Sequence, residues 1–147
     1  MQLSLIFRPL ATPPCKKTLR AFRKDAGWAA GKSTAVEGQH PRGRVQWVAV
    51  ERGKNTVGIA RLEMAPPEFC YLSDLIILSA HHGEGVGHWF MKNIERYCAQ
   101  FGIRRLLLQP VDNSKGFYEK MHFVSDPYVV SFLKKELNPF QRKVFAY

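Results

Sequence analysis

The chain has 147 residues, enough for one domain of ordinary size, and we expect a single domain over residues 1–147. Hydrophobic residues make up 46% of it and charged residues 23%, a balance that excludes wholesale disorder because it allows a packed core. The formal net charge is +10, and +7 of that excess lies in residues 1–52. A field of this sign favours anionic partners such as phosphorylated cofactors, acidic proteins or nucleic acid, although it can serve solubility alone.

The sequence predicts a cytoplasmic protein. It contains no run of about 18 apolar residues, so we expect no membrane-spanning helix and no membrane partner. Its first residues lack the basic stretch and the cleavage site of a signal peptide. The three cysteines, Cys15, Cys70 and Cys98, are odd in number and widely spaced, which is typical of reduced thiols. No histidine or cysteine pair has the spacing of metal ligands, and we therefore expect no metal.

Hydrophobic periodicity and turn residues predict ten elements in the order β-α-β-β-β-α-β-α-β-β. In chain order they are a strand over 3–7, a helix over 16–26, strands over 45–51, 56–64 and 71–78, a helix over 86–101, a strand over 105–109, a helix from 113 to about 121, a strand near 123 and a strand over 128–133. Residues 28–44 are predicted to be a loop with at most one short helix. This order indicates an α/β protein in which helices pack against a mixed sheet.

A strand, a glycine turn and a helix form the central unit, over residues 72–101. The strand is apolar except for Ser73 and Asp74, which predicts a central and buried position. The turn over 82–87 alternates three glycines, so that successive backbone N–H groups can point inward, and the helix that follows adds its own free N–H groups. We expect a nest for a pyrophosphate here, the alternative being that the glycines only serve a tight turn.

Two motifs stand out, the turn His82-Gly83-Glu84-Gly85-Val86-Gly87 and the stretch from Asn113 to Phe123. Together they resemble the GNAT acetyltransferase superfamily, and the turn is similar to its acyl-CoA-binding motif, Arg/Gln-x-x-Gly-x-Gly/Ala after an apolar strand. The stretch from Asn113 to Phe123, with its Phe-Tyr-Glu-Lys run, resembles the second signature of the family, and the two motifs lie about 30 residues apart, as in the family. The resemblance implies a GNAT fold with a mixed sheet of six to seven strands, splayed central strands and about four flanking helices.

The resemblance also implies acetyl-CoA as co-substrate. Main-chain groups of Ile76 to Leu78 would hydrogen-bond the pantetheine arm and polarise the thioester, and the glycine turn would hold the phosphates. The residues that it assigns to the cofactor are Ile76, Ile77, Leu78, His82, Gly83, Glu84, Gly85, Val86, Gly87, His88, Asn113 and Tyr118. His82 replaces the family's Arg or Gln, and His122 replaces a helix-ending glycine. Asn113 is expected to cap its helix and to reach the pantetheine.

Two residues are the catalytic candidates. By resemblance, Tyr118 matches the family tyrosine that protonates the thiolate of CoA, the alternative being a tyrosine that only packs in the core. Asp74 lies where the family often carries an acid, and it would take the proton from the amine. Asp74 could instead only hydrogen-bond a neighbouring loop, in which case Glu63, Glu68 or a chain of water molecules would serve as the base.

The resemblance implies an N-acetyltransferase that transfers an acetyl group directly to a primary amine of a small molecule or a protein. The acceptor site would be built from residues 16–44 and 128–137, and the basic first region disfavours a polycationic acceptor. The alternatives are a toxin-like acetyltransferase that acts on aminoacyl-tRNA and a non-catalytic acyl-CoA-binding module. Nucleic acid is the less favoured partner, and homodimers, although common in the family, are not demonstrated by any feature of this sequence.

Overall fold

The computed structural model describes residues 4–28, 44–111 and 113–137. Their strands are β1 (Leu5–Pro9), β2 (Arg44–Arg52), β3 (Asn55–Ala65), β4 (Phe69–Ile77), β5 (Arg105–Leu108), β6 (Val124–Ser125) and β7 (Leu133–Glu136). Their helices are α1 (Lys16–Asp25), α2 (Val86–Gln100) and α3 (Lys115–Lys120), and one 3₁₀ turn spans Ser79–His81. The strands form one sheet in the order β1-β2-β3-β4-β5-β7-β6, in which the β4–β5 pair is parallel and the other pairs are antiparallel.

This architecture confirms the predicted fold class and the predicted order of elements. Most strand and helix ends lie within one or two residues of the predicted bounds. The described residues contain three α-helices where about four were expected. The predicted loop over 28–44 falls almost entirely on residues 29–43, which lie outside the described part of the chain. None of the described helices has the length and apolarity needed to cross a membrane.

The predicted strand over 128–133 is wrong. Residues 128–132 belong to the connection between β6 and β7, and strand structure begins only at Leu133, the last residue of the predicted strand. The carboxylate of Asp126 accepts hydrogen bonds from the backbone N–H groups of Tyr128 (2.7 Å) and Val129 (2.9 Å), and these bonds lower the pKa of Asp126. An aspartate that binds the backbone two and three residues further on makes a turn, and here this local turn prevails over the β-forming side chains.

The predicted role of Asn113 as the helix cap is also wrong. Ser114 is the N-cap of α3, and its hydroxyl donates to the carbonyl oxygen of Val111 (2.6 Å) instead of capping the helix. Asn113 has a φ of +67°, in the left-handed region that asparagine tolerates better than most residues. Asn113 thus contributes backbone conformation to the turn that precedes α3.

The two faces of the sheet carry separate cores. Helices α2 and α3 pack on one face, where a large cluster includes the fully buried Phe90 and Ile94 of α2. Helix α1 lies on the other face, where the smaller cluster consists of Phe22, Trp47, Ala49, Ile59 and Ile76. Because β4 contributes to both clusters, it is the predicted central and buried strand.

An irregularity interrupts the pairing of β3 with β4. Ile59 pairs with Ile76 and Arg61 pairs with Ser73, so β4 carries one residue more than β3 over the same distance. Such a bulge bends the strand that carries the extra residue. Within it, Asp74 has a φ of +51°, which few residues other than glycine, asparagine and aspartate adopt readily.

The parallel pairing of β4 with β5 ends just before this bulge. Leu72 and Leu108 form the last pair, and β5 ends there while β4 continues to Ile77. Residues 73–77 of β4 therefore have no β5 partner among the described residues, which confirms the expected splaying of the central strands. A gap between two diverging strands exposes backbone groups that a ligand can pair with.

Candidate functional site

A cleft opens where β4 and β5 diverge. Its enclosed part is small, about 10 Å³, roughly the room of one water molecule, and it opens to solvent. Four parts of the chain form its walls: β4, the end of β5 with the residues after it, α3, and the segment after α1. In that order the lining residues are Leu72, Ser73 and Leu75; Leu108, Gln109 and Val111; Tyr118; and Trp28.

Tyr118 forms one wall of this cleft. Its ring packs edge-on against Phe117 and Phe123, with centroids 5.2 and 5.5 Å away, and the residue is 7% exposed. Burial raises the pKa of the Tyr118 phenol far above its ordinary value, because the interior disfavours the charged phenolate. The phenol therefore keeps its proton at neutral pH, so Tyr118 can donate a proton and cannot serve as a base there.

Polar side chains surround the bulge of β4, and one of them, Ser73, lines the cleft. Ser73 is 2% exposed and Asp74 is 1% exposed. Tyr71 is buried on the same strand, and its pKa is raised by burial and by the carboxylates of Asp74 and Glu63, against the opposing effect of Arg61. Glu63 Oε1 lies 3.5 Å from Arg61 Nη1. The cluster thus combines buried acids with two hydroxyl groups.

Asp74 is held by helix α1. Its Oδ1 atom lies 3.3 Å from both Nε and Nη2 of Arg23, and Nε donates a hydrogen bond to it. From the sequence, Asp74 was expected to be the base or, alternatively, only to hydrogen-bond a neighbouring loop. The structure shows an ion pair with a helix, and Glu68, the more distant alternative base, is exposed in the turn between β3 and β4.

The glycine turn has the backbone conformation expected of an anion nest. Gly83 and Gly85 have φ values of +77° and +83°, and Gly85 is the N-cap of α2. Trp89 is the first residue of the helix whose N–H reaches a carbonyl in the turn, Gly85 O at 3.0 Å, and no side chain in the described part of the protein caps the helix. The N–H groups of the first helical turn, which include those of Val86 and His88, therefore remain available to an anion.

Gly87 has a different role from the two glycines before it. A Cβ atom at this position would lie 3.3 Å from Cε1 of Phe117, so the missing side chain allows α2 to approach α3 closely. Phe117 immediately precedes Tyr118, which means that this contact fixes α3 against the glycine turn.

Arg52 lies beside the glycine turn and was not singled out from the sequence. Its Nη1 donates to Oε1 of Glu84 at 2.5 Å and lies 3.2 Å from Nδ1 of His81. The guanidinium of Arg52 neutralises the carboxylate of Glu84, the one negative charge in the turn, which would otherwise oppose the binding of phosphate. No local pattern could reveal it, because Arg52 ends β2, 32 residues earlier in the chain.

His82 does not extend away from the protein. Its Nε2 lies 2.6 Å from the carbonyl oxygen of Ile77, and since a carbonyl only accepts, the ring nitrogen donates. The imidazole therefore contacts one of the three residues, Ile76, Ile77 and Leu78, whose main chain was expected to meet the pantetheine. The backbone N–H of Leu78 donates to Val57 O, within the sheet.

Asp25 at the end of α1 stabilises the start of the 3₁₀ turn. Its Oδ2 accepts a hydrogen bond from the backbone N–H of Ser79 (2.7 Å), and its Oδ1 accepts one from the Ser79 hydroxyl (2.8 Å). Helix α1 thus contacts β4 at the bulge through Arg23 and the segment after β4 through Asp25.

The residues predicted from sequence lie in two connected places. Tyr118 and the bulge that contains Asp74 flank the cleft, and the turn over 82–87 follows at the far end of β4. Ser73, Gln109 and Val111 also line the cleft and were not proposed. Only Ser73 left a signal, as one of the two polar residues that interrupt an apolar strand. The described residues contain no cluster of three or more potential metal ligands.

Comparison with known proteins identifies the architecture. The family model described as Acetyltransferase (GNAT) family matches residues 15–123. No curated protein sequence matches the chain. A candidate acyl-CoA N-acyltransferase from Klebsiella pneumoniae subsp. pneumoniae MGH 78578 superposes with a TM-score of 0.67 at 15% identity, covering 92% of this chain and 99% of that one.

Two further solved structures share the fold at low sequence identity. A candidate N-acetyltransferase from Lactobacillus plantarum superposes with a TM-score of 0.64 at 18% identity, over 92% of this chain and 98% of the other. The N-acetylglutamate synthase from Neisseria gonorrhoeae, solved with coenzyme A and L-arginine, superposes with a TM-score of 0.64 at 13% identity, over 93% of this chain and 34% of the synthase.

Proposed function

This chain is a member of the GNAT family of acetyltransferases, and on that premise we propose that it transfers the acetyl group of acetyl-CoA directly to a primary amine of a small molecule or a protein. The observation that carries the proposal is the cleft between the diverging strands β4 and β5, with a buried, protonated tyrosine on its wall. The related fold of the N. gonorrhoeae synthase, which was solved with coenzyme A, supports the same class of ligand.

The residues present fit a coenzyme A group. Residues 73–77 of β4 have no β5 partner among the described residues, so their backbone can pair with an amide-bearing arm. Gly83 and Gly85 form the turn at the start of α2, whose free N–H groups suit a pyrophosphate. A hydroxyl group buried in the cleft wall, that of Ser73, has no hydrogen-bond partner among the described residues, as expected where a ligand supplies one.

Bound acetyl-CoA would supply an activated acyl group as a thioester. Tyr118 would donate a proton to the departing sulfur, and the raised pKa of its phenol keeps that proton in place at neutral pH. The cleft walls Trp28 and Leu75 would exclude water from the reacting atoms.

The amine must lose a proton before or during the reaction. Asp74 remains a candidate for this step, but its carboxylate is 1% exposed and is in contact with Arg23, so the amine would have to reach a buried oxygen. Glu63, 4% exposed on the neighbouring strand, and a chain of water molecules are the alternatives. Exchanging each acid for its amide and measuring the pH profile of turnover would distinguish them.

The first test is calorimetric titration with acetyl-CoA, with dephospho-CoA and ATP as matched ligands. We expect acetyl-CoA to bind with micromolar or better affinity and ATP to bind much more weakly. A large loss with dephospho-CoA would assign basic residues to the 3′-phosphate. Absence of acetyl-CoA binding would contradict the proposal.

The second test measures release of free thiol from acetyl-CoA with a panel of amines, a panel of peptides and an aminoacyl-tRNA mixture. Turnover with amines or peptides supports the proposal, and turnover only with aminoacyl-tRNA would instead support the RNA-directed alternative. Binding without turnover on any acceptor would favour a non-catalytic acyl-CoA-binding module.

A further inference from the structure

Ser73 carries a buried hydroxyl group with no hydrogen-bond partner among the described residues. The residue is 2% exposed and lines the same cleft as Tyr118. Burying a hydroxyl without a partner is unfavourable, and such atoms are rare in folded proteins. Ser73 lines the cleft and its buried hydroxyl has no partner among the described residues, which indicates a bond that is made to a bound ligand.

The position of Ser73 on β4 strengthens this interpretation. It is the first residue after the last β4–β5 pair, Leu72 with Leu108, and it directly precedes Asp74 in the bulge. The strand is held on both sides at this point, by Arg61 in register on β3 and by the ion pair of Asp74 with Arg23. The hydroxyl therefore lies on rigid backbone at the point where the cleft begins, as a positioned donor requires.

We propose that the Ser73 hydroxyl donates a hydrogen bond to the carbonyl oxygen of the thioester bound in the cleft. The inference rests on the proposed function. In the transfer step, the amine nitrogen bonds to the carbonyl carbon and the carbon–sulfur bond breaks, its electron pair leaving with the sulfur. The sulfur takes a proton from Tyr118, the amine gives one to the base or to water, and Ser73 keeps its own.

The proposal provides a hydrogen-bond or proton donor for each atom that becomes negatively charged during acyl transfer. Acyl transfer places negative charge on two atoms, the carbonyl oxygen and the sulfur. Among the described residues that line the cleft, Ser73 and Tyr118 carry the two buried hydroxyl groups, beside the backbone N–H groups of residues 73–77 that have no β5 partner. With Tyr118 serving the sulfur, Ser73 serves the carbonyl oxygen, which stabilises the transition state without a change in its own protonation.

The test that does not depend on the acceptor amine is isotope-edited infrared spectroscopy of acetyl-CoA labelled with ¹³C at the carbonyl. In the wild-type complex the carbonyl band is expected at lower frequency than in free acetyl-CoA, because a hydrogen bond weakens the C=O bond. In Ser73→Ala at least half of that shift should be lost, and Ser73→Thr, which keeps a hydroxyl, should retain it. Ser125→Ala, an exposed serine on β6, is the matched control.

Three further readouts separate this role from a structural one. Ser73→Ala should unfold at the same or a higher urea concentration than wild type, because the hydroxyl has no partner to lose among residues 4–28, 44–111 and 113–137. The affinity of Ser73→Ala for CoA, which lacks the thioester carbonyl, should be unchanged. Its affinity for acetyl-CoA should fall. Its kcat with any accepted amine should fall on the order of 10²-fold.

The outcomes keep this inference and the proposed function apart. If wild type binds acetyl-CoA but Ser73→Ala gives the same carbonyl frequency, the role of Ser73 is overturned and the proposed function stands. If wild type does not bind acetyl-CoA, both are overturned. An altered KM for the amine with an unaltered carbonyl frequency would assign Ser73 to the acceptor and would also overturn the inference.

Discussion

The guanidinium of Arg23 lies 3.3 Å from the carboxylate of Asp74, which joins helix α1 to the bulge of β4. Asp74 is 1% exposed and has a left-handed backbone, so the bulge places an acid where its charge needs a nearby cation. The pair fixes the strand at the position where the cleft begins, and its loss should therefore affect both stability and the shape of the cleft.

Replacing Arg23 by alanine should lower the free energy of unfolding by about 2–4 kcal/mol, because the buried Asp74 carboxylate then loses its cation. Urea denaturation measures the change. Lys24→Ala, at an exposed position on the same helix, is the control and should stay within about 0.5 kcal/mol of wild type. Equal stability of the two variants would show that the ion pair contributes nothing.

Tyr118→Phe should bind acetyl-CoA with wild-type affinity, since the ring that packs against Phe117 and Phe123 is kept. Its turnover with an accepted amine should fall by about 10²–10⁴-fold, the usual contribution of a general acid. Calorimetry and thiol release measure the two properties. Unchanged turnover would mean that the thiolate departs without a proton from Tyr118.

The stability of the fold should decrease above about pH 10, the ordinary pKa of tyrosine. Burial raises the pKa values of Tyr71, Tyr97 and Tyr118, so above pH 10 the unfolded chain releases phenolic protons that the folded chain still holds. Each such tyrosine lowers the free energy of unfolding by up to about 1.4 kcal/mol per pH unit. Urea denaturation at several pH values from 9 to 11 should give a shallower decrease for Tyr118→Phe, and an identical decrease would contradict this prediction.

The glycine turn can be tested by comparing two variants of Gly85. Asparagine and aspartate tolerate the φ of +83° similarly and are nearly the same size, so Gly85→Asn and Gly85→Asp differ mainly in charge. We expect the aspartate variant to bind acetyl-CoA at least about tenfold more weakly than the asparagine variant, because its carboxylate repels the phosphates. The difference should shrink in high salt, and its absence would contradict a phosphate nest at this turn.

The contact between Asp25 and Ser79 should control the local stability of the segment before the glycine turn. Asp25→Ala removes the acceptor of the Ser79 N–H and should lower the free energy of unfolding by about 1 kcal/mol. Asp25→Asn keeps one acceptor oxygen and should lower it by less. Hydrogen exchange of residues 79–82 should quicken in Asp25→Ala. Unchanged exchange there would show that the segment does not depend on α1.

Most of the fold could be predicted from the sequence because its elements have strong periodicities. Helix α2 carries Phe90, Ile94 and Cys98 on one buried face, and the apolar runs of β4 and β5 indicate central strands. The Tyr118 wall and the glycine turn also followed from local motifs. The positive φ of His122, +73°, agrees with its place at a glycine position that ends a helix.

The remaining features arise from contacts between segments that are distant in sequence. The bulge at Asp74 is a property of two strands, and the ion pair of Asp74 with Arg23 spans 51 residues. The pairing of Glu84 with Arg52 is likewise long-range. The errors at Asn113 and at 128–133 have a different cause, since in both places a local polar turn prevailed over a helix or strand preference.

Arg23 and Asp25 lie two positions apart on α1. Arg23 contacts the side chain of Asp74, and Asp25 contacts the backbone N–H of Ser79. Residues 75–78, between Asp74 and Ser79, are therefore held at both ends. Their number is set by the distance between the side chains of Arg23 and Asp25 on one rigid helix. An insertion or a deletion of one residue over 75–78 would break one of the anchors. Homologous chains that keep the arginine and the aspartate of this helix at the positions of Arg23 and Asp25 should accordingly vary in residue type over 75–78 but not in the length of that segment.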